Sequence, residues 1–240
     1  MRVLESEHRS GLNMSVTETT VPSIPELVER IKSSGSSDAR FFGYPPREGG
    51  LFLQQDPLEF AQFVHFMASE YKTADLTLDL GIASGGQTKF LRDFYKCKRT
   101  IILDNGEHSM FPHWQRIKPM VATTFEDEII SDSHAPAVRE RLGKYINSLD
   151  FAFVDGDHSY RGLRQDIFLV TPLLKDYAVM ALHDTAAVGD CKRVFDDLLN
   201  SRNFTRLRSF ENRFGISLWM RLPRRKRQHW YNHRFGWGNI

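Results

Sequence analysis

Five short apolar runs, separated by stretches of helical spacing, constrain the fold of this chain more than any other feature. They are LTLDL at 76–80, TIILD at 100–104, EII at 128–130, DFAFVD at 150–155 and YAVMALHD at 177–184. Helical stretches lie among them, from Gln87 to Tyr95, Ala135 to Ile146 and Tyr160 to Leu174. Buried strands alternating with helices predict an α/β fold, a parallel sheet with helices on both faces. The last two runs differ. FTRLRSF at 204–210 and GISLWMR at 215–221 are separated only by ENRF, a connection that can join antiparallel strands but not parallel ones. The expectation is about seven strands, five of them parallel, closed by a hairpin.

Ahead of the first run, DPLEFAQFVHFMASEY from Asp56 has a cap-like Asp, Pro57 in the first turn and apolar residues at helical spacing, which predicts a helix. Ile24 to Ile31 predicts a shorter one, ended by SSGSS at 33–37, and FFGYPPREGG at 41–50 is turn-rich. Residues 1–22 read as a flexible N-terminal arm, 23–221 as one domain with a helical cap over about 23–72, and 222–240 as a tail. Of the 240 residues, 41% are hydrophobic, enough for a sizeable core. No apolar run reaches the length of a membrane span. The charged start MRVLESEHRS lacks a secretory apolar region, and two cysteines make no disulfide framework. A cytoplasmic location is the expectation.

In open α/β sheets ligands bind outside the carboxyl ends of the strands. The first run ends in Asp79-Leu80-Gly81-Ile82-Ala83-Ser84-Gly85-Gly86, where glycines let the backbone turn tightly and approach a ligand. The spacing is Gly-x-x-x-Gly-Gly, unlike the Gly-x-Gly-x-x-Gly that cradles a pyrophosphate. Asp104 closes the second run 23 residues after Gly81, near the offset at which a carboxylate accepts ribose hydroxyls. Together they suggest a ligand with an adenosine end and no diphosphate. Strand-to-helix turns of any α/β protein also use glycine, so the loop alone does not decide the ligand.

The fourth run supplies Asp155-Gly156-Asp157-His158 and the fifth His183-Asp184-Thr185. Carboxylates and imidazoles so grouped are costly unless they bind a cation, share protons or stay hydrated. Asp155 and Asp184 form a hard oxygen pair suited to Mg²⁺ or Mn²⁺, with Asp157 or His158 as a base. Each residue taken singly also has a structural reading, His158 as a helix cap and His183 as a packed strand end.

The succession LDLGIASGGQT, IILDN, SDSHAP, DFAFVDGDHSYRGLRQDI and LLKDYAVMALHDT resembles class I S-adenosylmethionine-dependent methyltransferases, from about Leu53 to Arg221. The most similar branch holds macrolide-sugar O-methyltransferases, catechol-type enzymes and cephalosporin-hydroxylase-like proteins. VDGDHSY followed by HDT is the most specific part. The resemblance implies a Rossmann-like, seven-stranded, mostly parallel sheet with an antiparallel last strand. It also implies that Asp79, Gly81, Ala83, Ser84 and Gly85 border the cofactor's methionyl end, and that Asp104 and Asn105 hold the ribose. Asp132 and Ser133 would lie beside the adenine, and Asp155 would border the cofactor as well. In metal-dependent members the ligands match Asp155, His183 and Asp184, and catalytic groups match Asp157, His158 and His183. Those members carry a carboxylate where this chain has His183, and imidazole suits Mn²⁺, Fe or Zn better than Mg²⁺.

The implied reaction is methyl transfer to a hydroxyl of a small molecule or saccharide. Two alternatives keep the fold: a hydroxylase-like chemistry and a non-catalytic cofactor-binding module. Residues 221–240 carry six Lys or Arg and no acid, interleaved with Trp230, Tyr231, Phe235 and Trp237, and without them the body has four more acidic than basic side chains. An anionic partner, a membrane surface touched peripherally, and a plain extension packing on a second subunit of a homo-oligomer all fit this tail. An acidic body argues against nucleic acid as substrate.

Overall fold

A computed structural model of the protein describes residues 21–223. The expected arm, apart from its last two residues, and most of the expected tail, with its Trp and Tyr residues, lie outside the described residues. Strands β1 (Thr73–Leu80), β2 (Lys96–Asp104), β3 (Thr124–Ile130), β4 (Leu149–Val154), β5 (Leu174–Leu182), β6 (Phe204–Phe210) and β7 (Ile216–Arg221) form one seven-stranded sheet, ordered β3-β2-β1-β4-β5-β7-β6. All pairings from β3 through β5 are parallel, and β7 runs antiparallel between β5 and β6. The chain winds from β1 outward to β3, returns, and continues from β4 on the other side. The switch point therefore lies between the ends of β1 and β4, where an open sheet leaves a crevice.

Strand alternation divides the core in two. Ala152 and Val154 of β4 face one way, with Leu76, Leu78 and Leu80, onto α6 (Pro136–Leu142), α7 (Tyr160–Val170) and α8 (Gly189–Leu199). Phe151 and Phe153 face the other, onto α1 (Ile24–Ser34), α3 (Pro57–Phe66) and α4 (Gly86–Phe94). Central strands buried on both sides explain why their sequences read as continuous apolar runs.

The expected helix from Asp56 is present as α3. The Asp56 carboxylate accepts the N–H groups of Leu58 and Glu59 at 3.0 Å each, and Pro57 occupies the first turn. Met67–Tyr71 continues it as a turn of π-helix.

Several boundaries differ from the sequence expectation, three of them for clear physical reasons. Helix α7 stops at Val170, because Leu174 already pairs with Leu149 in the sheet. One helical turn, α2 (Ala39–Phe42), runs into the start of the turn-rich segment, capped by Asp38 and ended by Gly43 in the left-handed region. Strand β3 begins at Thr124, four residues early. It is an edge strand whose Glu126, Asp127 and Glu128 conceal it from an apolar-run criterion. Among the described residues no helix is long and apolar enough to cross a membrane.

Candidate active site

A cleft of about 1250 Å³ opens over the carboxyl ends of β1, β2, β4 and β5. Its floor begins at the glycine loop. Gly81 has φ +76°, and a Cβ there would stand 2.0 Å from the carbonyl oxygen of Asp155, so no side chain fits where the β1 and β4 ends converge. Ala83 is also left-handed, at φ +46°. The Asp104 carboxylate fastens the loop, accepting N–H groups from Ile82 at 2.7 Å, Ala83 at 3.3 Å and Gly106 at 2.7 Å. The Ser84 hydroxyl ties the loop to the carbonyls of Leu51 and Phe52 at 2.9 and 3.0 Å. Asp104, Asn105, Asp132, Ser133, Ala83 and Ser84 all line the cleft, as expected.

Two residues of the expected cofactor set do not line it. Asp79 is fully buried behind the loop, paired with Arg92 at 2.8 Å and accepting the Thr88 hydroxyl at 2.7 Å. With both oxygens engaged it braces α4 against the sheet. Gly85 is turned away as well, φ +77°, and a Cβ there would meet the Trp114 ring at 2.2 Å. Trp114, on α5 (Trp114–Ile117), donates its indole N–H to Glu128 at 2.6 Å.

At the other end of the cleft, β4 and β5 bring Asp155, His158, His183 and Asp184 together. His158 Nε2 lies 3.2 Å from Asp155 Oδ1 and 3.3 Å from Asp184 Oδ2. His183 Nδ1 lies 3.2 Å from Asp155 Oδ1 and 3.5 Å from Asp184 Oδ2. Asp184 itself is held at φ +59°, an unusual backbone for a non-glycine residue and one that concentrates at functional sites. Burial opposes charge on His183, but Asp155 and Asp184 override it and push the imidazole up to about 10. Burial also opposes ionisation of Asp155, yet the two imidazoles hold that carboxyl well below its usual range. The hydrogen bond to Asp155 raises His158 too.

The expected roles within this cluster change. Donor atoms of Asp155, His158 and Asp184 lie within 4.8 Å of one another and could hold a metal ion. His183, one of three expected ligands, lines the cleft as a buried ring, and its Nε2 has no hydrogen-bond partner among the described residues. Asp157, an expected base, spends Oδ1 on the Ser159 N–H at 2.8 Å and packs on Gly162. Ser159, rather than His158, caps α7.

Sequence reasoning missed several residues of the site. Asp166 on α7 is buried and ties the two walls, accepting the Ser133 hydroxyl at 2.6 Å and the Asp157 N–H at 3.2 Å. Gln55 and Gln87 line the cleft, and Gln55 Oε1 and Gln87 Nε2 are buried without partners, an acceptor and a donor left for a polar ligand. Arg213 and Phe214 come from the β6–β7 hairpin and line the cleft beside Phe41 and Phe42.

Residues 78–185 match the family model described as a methyltransferase domain. No curated protein matches the chain in sequence. Among solved structures, the O-methyltransferase TomG from Streptomyces achromogenes, in complex with SAM, is 15% identical. The alignment covers 82% of this chain and 90% of that one, with a TM-score of 0.54. The N-methyltransferase NodS from Bradyrhizobium japonicum, in complex with S-adenosylhomocysteine, is 14% identical over 82% of this chain and 99% of its own, TM-score 0.51. A methyltransferase from Geobacter sulfurreducens is 14% identical over 83% and 88%, TM-score 0.50. At such identities the likeness is one of fold. The matched domain spans the glycine loop through the β5 strand end, and the fold agrees with it from β1 to the antiparallel β7. The chain has the Rossmann-like methyltransferase fold, and within it residues 78–185 match the methyltransferase-domain model.

Proposed function

We propose that the protein transfers a methyl group to a hydroxyl of a small molecule or saccharide. One observation carries the choice of oxygen: the Asp155–His158–His183–Asp184 cluster stands at the acceptor end of the cleft, opposite Asp104. A hydroxyl needs help to lose its proton, whereas a neutral amine already carries its nucleophilic lone pair.

S-adenosylmethionine, when bound, supplies an electrophilic methyl group on a sulfonium. The residues present fit it. Asp104 is placed for ribose hydroxyls, and Asn105, Asp132 and Ser133 form the wall beyond. Gly81 leaves the loop without a side chain where the backbone must come close, and the orphaned polar atoms of Gln55 and Gln87 await partners. His158, whose side chain is 46% exposed, receives the hydroxyl proton at Nδ1, the ring nitrogen that Asp155 and Asp184 do not hold. Asp155 and Asp184 orient that ring and compensate the charge it gains. His183, donating from Nδ1, fixes the Asp155 carboxylate. Walls of Phe41, Phe42 and Phe214 exclude water from one side of this end.

Asp155, His158 and Asp184 also fit a divalent cation, which supplies a Lewis acid to a bound hydroxyl. Two carboxylates and an imidazole favour Mn²⁺ over Mg²⁺. The test is calorimetric titration with S-adenosylhomocysteine, then transfer of labelled methyl to a panel of diols with Mn²⁺ or with EDTA. Micromolar binding with label appearing on oxygen is the expected result. Binding with label only on amines would overturn the oxygen assignment, and activity unchanged by EDTA would remove the cation.

A further inference from the structure

Among the described residues six carboxylates line the cleft, from Asp104, Glu107, Asp132, Asp155, Asp157 and Asp184, and a single arginine or lysine, Arg213, lines it with them. The Arg213 guanidinium lies 5.5 Å from the ring centroid of Phe41 and 5.0 Å from that of Phe214. Apart from these rings it has no hydrogen-bond or ion-pair partner among the described residues. A guanidinium flanked by aromatic rings keeps its N–H edge free, and that edge matches a carboxylate or phosphate with two parallel hydrogen bonds. The cation is also held in place. Glu59 of α3, fully buried, accepts the backbone N–H groups of Arg213, Phe214 and Gly215, the last two at 3.1 and 3.0 Å. Phe214 then reaches the reactive cluster, its ring 6.1 Å from that of His183.

Resting on the O-methyltransferase reading above, we propose that the acceptor bears an anionic group, a carboxylate or phosphate, and that Arg213 is the residue that selects it. The charge goes to the guanidinium, the body of the molecule lies against Phe214 and Phe41, and the hydroxyl reaches His158. An anion placed nearer the cluster would face Asp155 and Asp184, so the arrangement also fixes the orientation of the acceptor.

The test uses the full chain saturated with S-adenosylhomocysteine, and two matched probe pairs: 3,4-dihydroxybenzoate against catechol, and galacturonate against galactose. Affinities are measured on wild type, Arg213→Lys and Arg213→Met. In at least one pair the acid is expected to bind wild type about tenfold more tightly than its neutral partner. That preference should shrink in Arg213→Lys, which keeps the charge but loses the fork, and vanish in Arg213→Met. Equal binding of acid and neutral probes by wild type overturns the proposal, as does a preference that survives in Arg213→Met or no binding of either acid at millimolar concentration. A tenfold loss of S-adenosylhomocysteine affinity in Arg213→Met overturns it too, since the arginine would then serve the cofactor's carboxylate. Failure of wild type to bind S-adenosylhomocysteine at all would strike the methyltransferase reading instead, so the two failures are told apart.

Discussion

The proposed function gives the Asp104 carboxylate two jobs, bracing the loops and holding the ribose, and substitutions can separate them. It anchors three backbone N–H groups of the loops around it and lines the cleft. Asp104→Ala should weaken S-adenosylhomocysteine at least tenfold, about 1.4 kcal/mol, by calorimetry. It should also lower unfolding free energy by about 1–3 kcal/mol through the stranded N–H groups. Asp104→Asn, whose amide oxygen can still accept, should recover part of the stability and little of the affinity. A second substitution probes the glycine loop. Gly81→Ala forces a methyl against the Asp155 carbonyl at positive φ, so the β1 and β4 ends must part. A loss of about 1–3 kcal/mol in urea unfolding is expected, together with weaker S-adenosylhomocysteine binding. Gly43→Ala is the control, also left-handed but with open space around it. These residues were legible from sequence because each sits at a strand end within a short local pattern. Arg213 and Gln55 were not, since nothing local marks them; one lies in a hairpin and the other before α3.

At the scale of elements, side chains far apart in sequence hold the walls of the cleft. Glu59 and Arg213 are 154 residues apart, so no spacing rule could join them. Glu59→Gln keeps the size but places an amide N–H among donors. It should cost about 3 kcal/mol and speed amide hydrogen exchange selectively at 213–215. On the opposite wall, Glu128 accepts the Trp114 indole N–H and pairs with Lys118, and Trp114 in turn packs on Gly85. Partial burial opposes ionisation of Glu128, but Lys118 and Trp114 outweigh it and hold the pKa below its usual 4.5. A carboxylate whose pKa is lower folded than unfolded stabilises the protein above the unfolded value, and that contribution is lost as pH falls through the folded one. Wild type should therefore exceed Glu128→Gln by about 1–2 kcal/mol at neutral pH, and the gap in urea unfolding should close below about pH 4.5. A gap independent of pH would mean that packing, rather than charge, supplies it. The edge strand carrying Glu128 was only half visible in the sequence, because β-propensity gives way at an edge to the charges that protect it.

For the molecule as a whole, the sheet was legible because its five central strands are buried on both faces and must be apolar throughout. The cleft was legible only along its strand-end rim. Its outer wall, from Phe41 through Gln55 and from Arg213 to Phe214, is assembled by tertiary contacts. On the proposed reading the cofactor end depends on the β1 and β2 loops, and the acceptor end on β4, β5 and the hairpin. His158→Ala and Asp184→Asn should therefore lower methyl transfer by about 10²–10⁴-fold while leaving S-adenosylhomocysteine affinity within about a factor of two. In thermal unfolding, S-adenosylhomocysteine at about a hundred times its dissociation constant adds about 2.7 kcal/mol to a protein that binds it only when folded. Wild type and both variants should show the same ligand-induced shift in Tm, and Asp104→Ala, at the same ligand concentration, should lose half of it or more. If His158→Ala lost the shift along with the activity, the cluster would belong to cofactor binding, and the division of the cleft into two ends would have to be given up.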